Sequence, residues 1–250
     1  MSTPAYSRFS GSGTSPIHLV DPLDGFDWNS LGDRYQELCQ KFKPSAPYLA
    51  AISPRPISDR ALYAVLVARF AEELRSTSGI TYETYLAMLY WKLYSQGAAI
   101  ANTCEFLAAN TEARRNASVK LRQLSSQLQN VSTKEPHEII NLLRDHDRFC
   151  FRGMATDTSL PVRSTFLHFA RPGEVPIFDK QVLLAVGVSE ENANQKFRFL
   201  EAYLPHARML AARHARSFST SDAEGPLRLV DMALWVLLGR RRGRNRKCAG

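Results

Sequence analysis

The stretch "TFLHFARPGEVPIFDKQVLLAVGV", residues 165–188, decides how the chain is read. A short apolar helix breaks at Pro172 and Gly173, passes a second proline at Pro176, and restarts at Asp179 as "DKQVLLAV" up to Gly187. Proline fixes φ and lacks an N–H, so helices end before it. Aspartate is a favoured N-cap because its carboxylate accepts from the free N–H groups of the first turn. The prediction is helix, rigid turn, helix, with Asp179 at the second start. Two readings of Asp179 remain open. It is an ordinary cap, or it is a carboxylate that the helix N-terminus keeps ionised for chemistry. Pro172, Gly173 and Pro176 stiffen its approach in the second reading. In the first they make a common interhelix turn.

Outward from this stretch the periodicity is helical. "SDRALYAVLVARFAEELR" (58–75) has Ser58 as N-cap and apolar residues three and four apart. "TYETYLAMLYWKLYSQG" (81–97) has Thr81 as cap and Gly97 as stop, and "NTEARRNASVKLRQLSSQL" (110–128) is more polar, as a solvent-facing helix would be. "STKEPHEIINLLRDHDRFCF" opens with Ser132 or Thr133 as cap and Glu135 in its first turn. The connection 152–161 ends at Pro161, a residue tolerated in a first turn, and a short helix follows. A helix starts at Ser189, with Pro205 kinking or dividing it, and a last one runs from Pro226 to Gly239. No strand alternation appears, so the predicted class is all-α. The expected organisation is a flexible Ser/Gly/Pro arm over 1–25, an all-α domain over 26–239 and a basic tail over 240–250.

The chain of 250 residues is 44% hydrophobic, enough for a packed core. No apolar run approaches the roughly 18 residues of a membrane span, and the start lacks a signal-peptide core. Cys39, Cys104, Cys150 and Cys248 are scattered without zinc-ligand spacing or a disulfide pattern, which fits a reducing cytosol and no metal site. His137 and His146 have no ligand spacing to each other either. The formal charge is +8, and a basic surplus favours a polyanionic partner. Six of the cations lie between Arg240 and Lys247; without them the body carries +2 (8 − 6).

The order short helix, Pro-containing turn, "PIFD", apolar helix resembles the helix-hairpin-helix DNA glycosylases. Their loop ends at a catalytic aspartate in a pattern such as P-[VI]-[DL]-D-x-x-V, and "VPIFDKQV" (175–182) is similar, with Asp179 at the catalytic position and Val182 in the following helix. "RSTFLHFARP" resembles the second hairpin helix, and "LRLVDMALW" and "TYETYLAMLYWKLY" have counterparts in bacterial stand-alone relatives. The likeness covers roughly residues 60–240. It implies two helical lobes with the site between them. It departs from the family at the hairpin, where "DTSLPVRSTF" has no glycine in place of a pattern such as LPGVGxxTA. The lysine of strand-cleaving members falls near Ser164 or Thr165, neither of which forms a Schiff base, and the cysteines do not fit an iron–sulfur cluster.

The resemblance implies a DNA-backbone grip by Arg152, Arg163, Ser164, Thr165, Arg171 and Lys180, each of which also has a plain reading as a solvated or packed residue. A base pocket would draw on Tyr90, Trp91, Lys92 and His168, since a flipped base needs aromatic faces and hydrogen-bonding groups. Tyr82, Tyr85, Tyr90, Trp91 and Tyr94 are spread around their helix, so they are not all expected to face the core; core packing is the plain alternative for any one of them. Asp231 and Trp235, one turn apart, read as packing for the last helix.

Together these readings predict a monofunctional DNA N-glycosylase. It would flip a base from double-stranded DNA and hydrolyse the base–sugar bond through Asp179, since that cleavage develops positive charge a carboxylate can stabilise. No cofactor, no lyase step and no membrane are expected. The protein would act as a monomer in the cytoplasm, at the nucleoid, in base-excision repair or in antiviral defence against hypermodified phage DNA. The rivals are a non-catalytic DNA-binding protein on the same fold, and an all-α interaction module with a basic tail.

Overall fold

The computed structural model describes residues 17–129, 135–145, 147–156, 159–218 and 224–247, with side chains through Leu238. Among them there are helices and turns and no strand. Eleven helices follow in order: α1 (Leu31–Leu38), α2 (Asp59–Arg75), α3 (Tyr82–Leu93), α4 (Gly97–Ala99), α5 (Phe106–Ala109), α6 (Thr111–Gln129), α7 (Pro136–Arg144), α8 (Leu160–Ala170), α9 (Lys180–Ala185), α10 (Lys196–His214) and α11 (Pro226–Lys247). A π-helical turn, Ile100–Glu105, joins α4 to α5.

Local chemistry sets the boundaries. Ser58 Oγ accepts from Ala61 N at 3.2 Å and Thr81 Oγ1 from Thr84 N at 3.3 Å, as the sequence predicts. Asn110 caps α6 through Ala113 N, and Pro136 and Pro161 occupy first turns. Ser132, Thr133 and His146 lie outside the described residues; the cap position of α7 is Glu135. Gly187 adopts φ +94°, a region that favours glycine, and Val20 Cγ2 lies 3.2 Å from where a Cβ would sit.

Two helices organise the core. α3 packs against α2, α6, α8 and the Pro47–Leu49 turn, and α11 against α1, α9 and α10. Between Tyr82 and Leu93 every residue of α3 except Glu83 and Lys92 is buried. The expectation that Tyr82, Tyr85, Tyr90 and Trp91 could not all face the core is corrected: all four are buried, because a helix apolar nearly all round sits at the centre and other helices cover its faces.

Other boundaries differ from expectation. Gly97 opens α4 rather than ending a helix, and Pro205 lies inside a continuous α10. α10 begins at Lys196, after a 3₁₀ turn over Asn192–Asn194, rather than at Ser189. Gly239 does not stop α11, which continues through Lys247, so 240–247 extend a helix. Residues 17–25, expected in the arm, pack onto the body: Leu23 is fully buried, and Asp21 pairs with Arg213 and His214 of α10.

At the junction of α1, α2, α3 and α11 lies Arg228, 2% exposed. Its guanidinium carbon sits 5.0 Å from the Tyr35 ring, 5.0 Å from Tyr63 and 4.8 Å from Trp91, an aromatic cage for a cation. It is ion-paired with Asp231, one turn along α11, and lies 3.8 Å from Asp59 at the start of α2. The partner of Asp231 is thus Arg228, where the sequence alone sets Asp231 beside Trp235. Breaking such a pair strands a buried charge, at a cost of about 3–5 kcal/mol. Arg228→Met is therefore expected to lower the free energy of denaturant unfolding by that amount; a decrease under about 1 kcal/mol would show the cage to be dispensable.

Candidate active site

Asp179 has extended backbone (φ −147°, ψ 179°) and caps α9. Its Oδ1 accepts from Gln181 N at 2.8 Å and Val182 N at 3.1 Å, while Oδ2 accepts from Lys92 Nζ at 2.8 Å. Lys92 reaches it from the last turn of α3, and about a tenth of each side chain remains exposed. Burial by itself would raise the Asp179 carboxyl; the Lys92 charge, its hydrogen bond and the two backbone N–H groups outweigh that and hold it below the usual carboxylate value. Asp179 is ionised, fixed at three points and almost out of water.

The approach to Asp179 is fixed as firmly. Ser164, fully buried in α8, accepts at Oγ from Phe178 N at 3.0 Å, and its hydroxyl proton is shared between Pro161 O at 3.0 Å and Phe178 O at 3.1 Å. One hydroxyl thus grips both polar groups of the residue before Asp179. The Phe178 ring packs 5.3 Å from that of Tyr203 in α10.

His168 ties down the same turn. Nδ1 lies 2.7 Å from Val175 O and Nε2 lies 2.8 Å from the Tyr63 hydroxyl. A carbonyl only accepts, so Nδ1 carries the proton and Tyr63 donates to Nε2. Burial pushes the imidazole down to about 3, so it stays neutral at physiological pH.

A second buried cluster stands behind the pair. Two cations, Lys92 and Arg228, face three carboxylates, Asp59, Asp179 and Asp231. Burial raises Asp59 and Asp231, with Arg228 opposing, while Asp179 is lowered. Neighbouring buried carboxyls are thus pushed in opposite directions, Asp59 and Asp231 up and Asp179 down.

The predicted site residues divide accordingly. Lys92 joins Asp179, and Trp91 beside it packs on Tyr63, Phe169 and Arg228. Tyr90 faces elsewhere: its ring lies among Phe42, Tyr48 and Tyr94, and its hydroxyl meets Lys43 N at 2.8 Å. His168 is fully buried. The side-chain phosphate grip expected of Arg163, Ser164 and Thr165 is corrected, because all three are fully buried on backbone acceptors. Arg163 donates to Leu143 O and Thr156 O, and Thr165 to Pro161 O. Arg171 is half-buried and donates to Ala170 O and Leu128 O. Lys180 pairs with Glu190 at 2.5 Å. Arg152 is exposed, lying over Phe106 and donating to Asn102 O at 2.9 Å. Gly153, in the connection between α7 and α8, has φ +83° but faces Thr103 and Leu89 of the body.

Arg228, Asp59 and Tyr203 escaped the sequence reading. A charged pair three residues apart inside the apolar run "PLRLVDMALWVLL" was the available signal for Arg228 with Asp231. Compared with protein-family models, curated proteins and solved structures, the chain matches none. Among the described residues no helix is long and apolar enough to cross a membrane.

Ser164→Ala leaves the Phe178 N–H buried without its acceptor, which costs about 1–3 kcal/mol. Urea unfolding is expected to show that decrease, and the Asp179 carboxyl resonance is expected to move, since its carrier peptide is released. An unmoved resonance would show that Ser164 does not position Asp179.

Proposed function

We propose that the protein is a DNA N-glycosylase that flips a damaged or modified base out of duplex DNA and hydrolyses its bond to the sugar. One observation carries this reading: an ionised carboxylate, rigidly held at the end of a Pro-containing turn and at the start of a helix, with a single lysine as counterion. Cleaving an N-glycosidic bond builds positive charge on the sugar, and a fixed anion stabilises that charge without reorganising. Asp179 serves as that anion or as the group that orients the attacking water. Lys92 keeps it ionised, and Ser164 and His168 keep its turn in place. The helix-hairpin-helix arrangement, with the site between two lobes, belongs to this reading, as does action by a monomer on nucleoid DNA. The products are a free base and an abasic site, in repair or in defence against modified phage DNA.

A second reading has its own support. Capping and ion pairing already engage both Asp179 oxygens, which suits a structural aspartate in a non-catalytic DNA-binding protein.

Base release separates the two. Wild type and Asp179→Asn are incubated with genomic DNA from several sources, including phages with hypermodified bases, and free bases are identified by mass spectrometry. The expected result is a base released by wild type and reduced by orders of magnitude per folded molecule in Asp179→Asn, with DNA affinity equal or higher. Equal release by the variant, or none from any DNA despite tight binding, would overturn the proposal.

A further inference from the structure

Three of the side chains expected to grip phosphate, Arg163, Ser164 and Thr165, are buried within α8, which leaves room for another phosphate-binding face on the body, and α6 has the required chemistry. Its buried residues, Ala117, Leu121, Leu124, Ser125 and Leu128, define one side. At 100° per residue, Arg115, Val119 and Arg122 lie on the opposite crown, and all three are exposed. Arg114 and Lys120 occupy the flanks. Arg114 turns to Glu83, and Lys120 donates to Cys150 O. Among the described residues, no carboxylate forms an ion pair with Arg115 or Arg122. From Ala113 to Gln129 the helix has no acidic residue, and its other exposed positions include Asn116, Gln123 and Gln127.

The charge balance sets this helix apart. α6 carries four basic residues, Arg114, Arg115, Lys120 and Arg122, against one anion, Glu112. That surplus of three exceeds the +2 of the whole body before Arg240. The rest of the body is therefore close to neutral, and its surface arginines include ones paired with carboxylates, such as Arg144 with Glu201 and Arg148 with Asp145. An exposed arginine without a carboxylate ion pair suits phosphate oxygens, to which its guanidinium donates. The seven-residue rise from Arg115 to Arg122 is about 10 Å, or about three base-pair rises along the duplex axis at roughly 3.4 Å each.

We infer that the exposed crown of α6, centred on Arg115 and Arg122, is a sequence-independent docking face for the phosphate backbone of duplex DNA. The inference rests on the reading above that DNA is the partner, and adds where the body holds it. Because both side chains stand in solvent, replacing them leaves the core intact.

The test uses the full-length chain. Arg115→Ala/Arg122→Ala is compared with wild type for affinity to duplexes of unrelated sequence at several salt concentrations. The slope of log affinity against log salt is expected to fall by about two, one for each phosphate that is no longer neutralised, with affinity reduced alike for every sequence. An unchanged slope overturns the inference, as does weakened binding to an acidic protein or to heparin with duplex binding intact. The two proposals fail separately. If wild type releases no base yet the slope falls, the docking face stands without the enzyme; if wild type releases a base yet the slope is unchanged, only the docking face falls.

Discussion

A carboxylate taken out of water is driven to protonate, because the ion loses its hydration. Asp179 escapes this through Lys92, 2.8 Å away and equally withdrawn from solvent, and through the two N–H groups at the start of α9. The pair ties the end of central α3 to the start of α9, and α9 in turn packs on α11. Geometry and charge state are thus set by one ion pair. Without it, either a cation or an anion is stranded in the core.

Burying five charged groups in one region needs a physical reason, since apolar residues of similar volume often serve stability equally well or better. Here the arrangement separates roles. Arg228, caged by Tyr35, Tyr63 and Trp91, faces the two carboxylates that burial pushes up, while Lys92 is left to the one that is pulled down. Two neighbouring environments push like groups in opposite directions, which is how proteins assign distinct tasks to chemically identical side chains.

Much of the fold was legible, because its signals are local. Ser58, Thr81 and Asp179 cap where their side chains predict, since a cap needs only the next three residues. The all-helical class followed from periodicity. The failures share the opposite character. Arg163, Ser164 and Thr165 read as a phosphate grip because the resemblance sets them at the hairpin, but their acceptors include the carbonyls of residues 143, 156 and 178, which only the folded chain brings within reach. The aromatic spread of α3 is the same whether a helix lies at the surface or at the centre; the elements packed around it decide which. Gly239 was read as a stop from residue type, yet α11 continues through it. Lys92 was named, but as a pocket wall, because nothing local joins position 92 to position 179.

The central claim is that Lys92 holds Asp179 ionised at the start of α9. A carboxyl carbon-13 NMR titration, with the resonance assigned through Asp179→Asn, measures this directly in wild type and in Lys92→Met. Asp179 in wild type is expected to titrate below the ordinary value of 3.8, and removing the ammonium leaves burial opposed only by the two backbone N–H groups and moves the titration upward. A wild-type carboxyl that titrates at or above 3.8, or one indifferent to Lys92→Met, would contradict the account.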